Sequence, residues 1–290
     1  MKSSVDKVEI VLAQALELTG SSGCAPRLAA AMRWAVFPGG ARIRPKLCMA
    51  VATACQGSQS LAAVPAAALE LVHCASLVHD DLPCFDNAQV RRGRPSVQAE
   101  FGQRLAVLAG DALIVKSFEV LSDGLPDNAG LAMQLSKAIA EGVGTPAGIA
   151  AGQAWECEQE VDLNAYHRAK TGALFAAATK AGAIVAAVDE PSAWGMLGLK
   201  LGEAYQVADD ILDAAGSEND MGKPVGQDSR LDRPNSVKSL GLAGAAQRLR
   251  TLVENAIESV PDCAGKSVLC ERIKSETDSL LPARLANLAA

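Results

Sequence analysis

The sequence predicts an all-α protein. Three observations carry that prediction. Apolar residues recur at intervals of three and four through most of the chain, runs of alternating β-branched residues are scarce, and turn-forming clusters separate the periodic segments. Alanine is abundant and aromatic residues make up only 3% of the 290 residues, so the helices are expected to pack closely through small side chains.

Taken in order, Val5 to Leu18 mixes charged with apolar residues and reads as an amphipathic helix, not a signal peptide. Pro26 to Val36 and Ile43 to Cys55 are periodic and are separated by Pro38-Gly39-Gly40. After Gly57-Ser58, Ala66 to His79 is periodic and extends to Asp81. Gly93-Arg94-Pro95 then precedes a long segment, Val97 to Leu121, which Gly124-Leu125-Pro126 separates from Ala129 to Val143. Leu163 to Val188, Ala193 to Leu212 and Ala243 to Glu258 complete the set. The stretch from Gly216 to Asn235 is long, charged and aperiodic, and a loop of that length in a folded domain is usually functional. No linker is polar enough to divide the chain, so residues 1–290 are expected to form one domain, an antiparallel helical bundle.

Composition excludes some roles. A net charge of -6 disfavours non-specific nucleic-acid binding. No stretch of about 20 apolar residues avoids charge or proline, so no membrane span is expected. The eight cysteines (Cys24, Cys48, Cys55, Cys74, Cys84, Cys157, Cys263, Cys270) include no CxxC pair, which suits reduced, mostly buried thiols in a cytoplasmic protein.

Chemistry concentrates in two acidic clusters about 130 residues apart, Asp80-Asp81-Leu82-Pro83-Cys84-Phe85-Asp86 and Asp209-Asp210-Ile211-Leu212-Asp213. Each sets three carboxylates into apolar surroundings, where charges need a partner or a metal. Oxygen-only ligation suits a hard cation, with Mg2+ favoured when phosphates complete its shell. The first cluster ends a helix, where the dipole prefers cations, and Pro83 turns the chain so that Asp86 can return towards Asp80. His73 lies almost two turns before Asp80 on nearly the same face. In the second cluster Asp209 and Asp213 share a helix face and repel until a cation intervenes. Gln206, three residues upstream, can donate to a phosphate without adding charge. Arg91-Arg92 follows the first cluster with the forked donors that match phosphate oxygens. Arg42, Arg44, Lys170-Thr171 and Lys223 complete a cation set sufficient for two diphosphates.

With these residues in view, the chain resembles the trans-isoprenyl diphosphate synthases, in which a DDxxxxD motif with RRG precedes a DDxxD motif. The matching pieces, in the family's order, are Gly39-Gly40-Ala41-Arg42-Ile43-Arg44-Pro45, His73, Ser76 to Asp81, Arg91-Arg92-Gly93, Lys170-Thr171-Gly172, Gln206 to Asp213 and Gly222-Lys223. The wording of GGARIRP and HDDLPCFDN is similar to the bacterial geranylgeranyl diphosphate synthases that feed carotenoid and bacteriochlorophyll pathways.

The resemblance implies the isoprenoid synthase fold, a helical bundle around a deep central cavity, usually a homodimer. It implies three Mg2+ ions, with Mn2+ able to substitute, on Asp80, Asp86 and Asp209, while Asp81, Asp210 and Asp213 hold metal-bound water or complete the shells. The allylic diphosphate would meet Arg91, Lys170, Thr171, Gln206 and Lys223, and isopentenyl diphosphate would meet Arg44, His73 and Arg92. The implied reaction is ionisation, condensation and proton loss, giving geranylgeranyl diphosphate from farnesyl or a shorter starter. Farnesyl diphosphate synthase, a class I terpene synthase and a non-catalytic partner subunit are the alternatives.

Two departures stand out: Ala41 occupies the place of the family's usual lysine, where Arg42 or Lys46 could compensate, and Arg233-Pro234-Asn235 replaces a lysine-threonine pair. Product length is expected to depend on Ala75, with Ser76 beside it, about 7.5 Å up the helix axis from Asp80. An alanine where farnesyl-producing relatives carry an aromatic leaves room for a longer chain, with Leu113 and Phe118 on the next helix as alternative floors.

Overall fold

The helices begin where a side chain or a proline can deal with the unsatisfied first amides. In the computed structural model, which describes residues 4–17, 23–216, 235–278 and 280–282, five of them start at an oxygen-bearing cap. Ser58 accepts from the Leu61 amide, Ser96 from Ala99, Asn128 from Leu131, Asp162 from Ala165 and Asn235 from Val237. Two others open on Pro26 and Pro191.

The elements are α1 (Ser4–Glu17), α2 (Pro26–Val36), α3 (Ile43–Ala54), α4 (Gln59–Asp80), the hairpin strands β1 (Val90–Arg91) and β2 (Arg94–Pro95), α5 (Val97–Phe101), α6 (Gln103–Gly124), α7 (Ala129–Val143), α8 (Ile149–Ala154), α9 (Leu163–His167), α10 (Ala173–Val185), α11 (Pro191–Ala215), α12 (Ser236–Glu258) and α13 (Lys266–Asp278). A π-helical turn, Arg168–Gly172, joins α9 to α10.

The chain is mostly helical, as expected, but several boundaries differ from the sequence reading. The helix expected from Ala66 begins at Gln59, because Ser58 caps it and Pro65 is accommodated within it. The segment from Val97 to Leu121 is broken at Gly102, whose φ of +87° lies outside the helical region and is open to glycine without a Cβ penalty. The segment from Leu163 to Val188 is interrupted by the π turn and ends at Val185. α12 starts at Ser236 and contains a non-helical residue, Gly241. The β-hairpin, α8 and α13 were not expected from periodicity. In the hairpin Val90 pairs with Pro95 and Arg91 with Arg94. Its turn, Arg92-Gly93, has φ of +55° and +74°, the left-handed pair that two-residue hairpin turns require.

α4 is the central element. It packs most heavily on α6, and also on α1, α3 and α10, while α10 and α11 pack on one another and α12 covers α11. Residues Ala62 to Val72 of α4 are all buried, and alanines at 66, 67 and 68 let neighbouring helices approach. α4 is long and apolar enough to cross a membrane, but 78% of its most apolar window is buried against other helices, which accounts for its composition. One core cluster surrounds α4, including Leu71, Ala75, Leu113 and Leu174. A second unites α3, α11 and α13 around Phe175 and Trp194. Each such large side chain removed from water contributes about 1.5–3 kcal/mol. The result fixes the C-terminal end of α4 near the π turn and the last third of α11.

Candidate active site

The first acidic cluster is folded by its own backbone. α4 ends at Asp80, the Leu82 amide donates to the His79 carbonyl at 3.0 Å, and the Asp86 amide donates to the Asp80 carbonyl at 3.0 Å. The loop therefore returns Asp86 to Asp80, as Pro83 predicts. The carboxylates are not equivalent. Asp81 is buried (2% exposed) and accepts a 2.9 Å hydrogen bond from Arg91 Nε, whereas Asp80 and Asp86 are partly exposed. Asp80 Oδ2 lies 3.5 Å from Arg91 Nη2. Burial pushes the Asp81 carboxyl up to about 6 against the pull of Arg91, and the charges of Asp80 and Asp86 push the same way. The cluster thus holds more negative charge than Arg91 neutralises.

The second cluster lies near the end of α11. Asp209 is exposed, while Asp210 and Asp213 are buried. Both Asp210 oxygens are already engaged, Oδ1 accepting from Gln206 Nε2 at 2.9 Å and Oδ2 from the Ser236 amide at 2.8 Å. These bonds tie Asp210 to Gln206 and to the start of α12, and each oxygen keeps a second lone pair for metal-bound water. Asp209 is the member of this cluster that faces outward.

The π turn lies between the two clusters. A Cβ on Gly202 of α11 would sit 2.5 Å from Gly172 Cα, so glycine there lets α11 come directly against the turn. Lys170 Nζ donates to Glu156 Oε1 and stands 4.0 Å from Asp80 Oδ1. Next to it, Thr171 Oγ1 donates to Gln206 Oε1 at 2.7 Å. Two adjacent residues of the turn therefore reach the two clusters, Lys170 towards Asp80 and Thr171 through Gln206 towards Asp210.

A cationic pocket lies beside α4. Arg44 Nη1 is 3.3 Å from His73 Nε2, and its guanidinium stacks 4.7 Å from the Phe175 ring centre. Arg44 Nε is buried with no hydrogen-bond partner among the described residues, a donor left for a ligand. Burial lowers the Arg44 pKa, opposed by the charges of Glu70 and Asp209, yet a guanidinium remains protonated at neutral pH. Burial, followed by the charges of Arg44, Arg92, Arg91 and Arg42, holds the His73 imidazole well below 6.5. Arg92 Nη2 stands 3.8 Å from the buried Glu70 carboxylate.

Of the two neighbours of Ala41, Arg42 does not stand in for a lysine. Arg42 turns inward, bonding Glu9 at 2.7 Å, Glu70 at 2.6 Å and the Val36 carbonyl at 2.9 Å. Lys46 faces Glu276 of α13 at 3.8 Å. Arg42 is thereby committed to the core, while Lys46 stays partly exposed beside Glu276.

Ala75 and Leu113 are fully buried in the core cluster against which Phe118 packs. Ser76 Oγ donates to the His73 carbonyl at 2.8 Å. Lys223, Arg233 and Pro234 lie outside the described residues. Sequence reasoning missed Glu70, Glu156 and Tyr166. Glu70 had a legible signal, a lone acid in an uninterrupted apolar helix that must have cationic partners; Glu156 and Tyr166 sit in an unremarkable polar segment.

The metal expectation fits this donor set. Asp80 and Asp86, partly exposed, and Asp209, exposed, are the more accessible carboxylates, all oxygen donors suited to a hard cation. Among the described residues no three acidic, histidine or cysteine side chains already converge into a closed cage.

The sequence signature of the polyprenyl synthetase family matches residues 25–269. The chain belongs to that family. It is 49% identical over 281 residues to the geranylgeranyl diphosphate synthase of Cereibacter sphaeroides, covering 97% of each chain. Identity to the enzyme of the same name from Rhodobacter capsulatus is 50% over 274 residues, covering 93% of this chain and 94% of the relative. The fold matches the geranyltransferase of Helicobacter pylori, crystallised with magnesium and isoprenyl diphosphate, with a TM-score of 0.79 and 28% identity over 95% of this chain and 98% of that one.

Proposed function

We propose that this protein is a Mg2+-dependent prenyltransferase that joins isopentenyl diphosphate to an allylic diphosphate, farnesyl or shorter, and releases geranylgeranyl diphosphate. The observation that carries the reading is the chain of contacts from Asp80 through Lys170, Thr171 and Gln206 to Asp210, which supports reading the two acidic clusters as one site beside a separate cationic pocket. Two relatives near 50% identity bearing the name geranylgeranyl diphosphate synthase support the choice of product.

Asp80, Asp86 and Asp209 would hold the metal, three ions in all, with Mn2+ an acceptable substitute. When bound, Mg2+ supplies positive charge to the departing diphosphate. The protein's own groups do the rest. Lys170, Thr171, Gln206 and Arg91, with Lys223 from outside the described residues, orient the allylic diphosphate and stabilise the charge that grows on it. Arg44, His73 and Arg92 fix isopentenyl diphosphate so that its double bond meets the allylic carbon. His73 is neutral at physiological pH and contributes a hydrogen bond without charge. The apolar wall at Ala75 and Leu113 keeps water from the allylic cation, and the proton lost after coupling goes to the released diphosphate.

The chain is proposed to act as one domain over residues 1–290 and as a homodimer. Apolar residues exposed on one helix, Val107, Leu108 and Val115 of α6, support pairing of two copies. Buried free thiols such as Cys48 and Cys74 fit a reducing cytoplasm.

The test is incubation of purified protein with Mg2+, isopentenyl diphosphate and each allylic starter, followed by sizing of the products. Geranylgeranyl diphosphate is expected; chains that stop at farnesyl overturn the product assignment, and no condensation overturns the reaction. Ala75→Phe is expected to shorten the product towards farnesyl, and an unchanged length would move the floor to Leu113 or Phe118.

A further inference from the structure

The geometry points to Glu156 as the positioning residue for Lys170, an inference that rests on the proposed reaction. Glu156 lies in the short turn Trp155–Cys157 after α8, away from both aspartate clusters in sequence. Its carboxylate is partly buried and gathers three donors. Oε1 accepts from Lys170 Nζ and from the Tyr166 hydroxyl at 2.8 Å, and Oε2 accepts from Gln153 Nε2 at 3.0 Å. Tyr166 also supports the ammonium directly, its ring centre 5.6 Å from Lys170 Nζ.

A lysine carries four rotatable carbons and loses substantial freedom when held in one place. The Glu156 cluster fixes that freedom in advance and sets Nζ 4.0 Å from Asp80 Oδ1, at the edge of the carboxylate that would ligate metal. The π turn alone cannot do this, because it fixes the Lys170 backbone but not the end of the side chain. A charge prepositioned for the leaving diphosphate acts mainly on the transition state, so loss of the clamp should appear in kcat more than in KM. Glu156 touches no substrate in this scheme and acts only through Lys170.

A double-mutant cycle tests the assignment, using Glu156→Gln, Lys170→Ala and the pair, with Glu156→Asp as the conservative variant. Glu156→Gln is expected to lower kcat about 10- to 100-fold, with the KM for isopentenyl diphosphate unchanged within about twofold. Glu156→Asp keeps the charge and should recover most of the rate. In the Lys170→Ala background, Glu156→Gln should cost nothing more, because its effect has already been removed. Additive losses, an isopentenyl diphosphate KM that moves with kcat, or equal losses in the Gln and Asp variants would overturn the clamp. Absence of condensation by the unaltered enzyme would instead overturn the proposed reaction. The same cycle read by calorimetric binding of inorganic pyrophosphate with Mg2+ then decides the clamp without turnover: non-additive changes in binding support it and additive ones, or none, reject it.

Discussion

The two acidic walls of the site are built from similar residue strings but spend their carboxylates differently. At the end of α4, the buried member, Asp81, is held by a cation, Arg91, and remains under electrostatic pressure from Asp80 and Asp86. On α11 two members are buried, Asp210 and Asp213, and Asp210 is held by neutral donors, the Gln206 amide and the Ser236 backbone. In both walls another aspartate is more accessible, Asp80 in part and Asp209 fully. Repetition of a motif therefore does not mean repetition of roles: within each string one carboxylate builds the wall and another works from it.

That division is open to direct attack. The largest effect is expected at the more accessible positions, where Asp80→Ala or Asp209→Ala should reduce kcat by about a thousandfold or more in steady-state assays. Asp209→Ala should meanwhile leave thermal stability within about 0.5 kcal/mol of the parent, since it removes an exposed side chain. Near-normal turnover in either variant would remove that residue from the metal site. Asp210→Ala should behave in the opposite sense. It strands the Gln206 amide and the Ser236 N–H, costing about 1–3 kcal/mol in a denaturant melt. If Asp209→Ala destabilises as much as Asp210→Ala, the two carboxylates do not differ as described.

Much of this arrangement was legible in the residues. Both clusters and the arginine pair beside the first could be read from charged strings set in apolar sequence, whereas the Lys170-Thr171 step was placed by the resemblance to the synthase family. The helices with strong apolar stripes were legible from their periodicity. What escaped has physical causes. α13 buries only a thin line, Leu269, Ile273 and Thr277, in an otherwise polar segment, so its periodicity is faint. The helical turns before Pro65 were hidden because proline normally argues against a helix interior. The break at Gly102 was hidden because the apolar pattern continues on both sides of it. The fates of Arg42, Asp210 and Glu156 depended on partners 28, 26 and 14 residues away, which no local pattern displays.

A smaller effect probes the cationic pocket that serves the second substrate. A Cβ on Gly40 would lie 2.8 Å from Arg92 Nε, so the chain at residue 41 begins beside that pocket. Ala41→Lys should add a cation there and lower the KM for isopentenyl diphosphate by about tenfold, equivalent to about 1.4 kcal/mol. The KM for the allylic substrate should not change; equal shifts for both substrates would show that the two pockets are not separate.

The smallest effect concerns pH. His73 has a folded pKa well below its ordinary 6.5, so the folded state binds fewer protons than the unfolded chain between those values. Its contribution is therefore complete above pH 6.5 and is lost as pH falls through that window towards the folded pKa. His73→Gln should flatten the fall in melting temperature on acidification. An unchanged acid limb would assign the sensitivity to other groups.

The π-helical turn at Arg168–Gly172 has a consequence for how the chain tolerates change in length. A π turn accommodates about one residue more than an α turn, which offsets the rotational phase of α9 from that of α10 by roughly 100°. Deleting a single residue there would let the two segments fuse into one regular rod with all backbone bonds intact. The rod would point its lysine and threonine away from the carboxylates, so a shorter and locally more regular protein would be an inactive one.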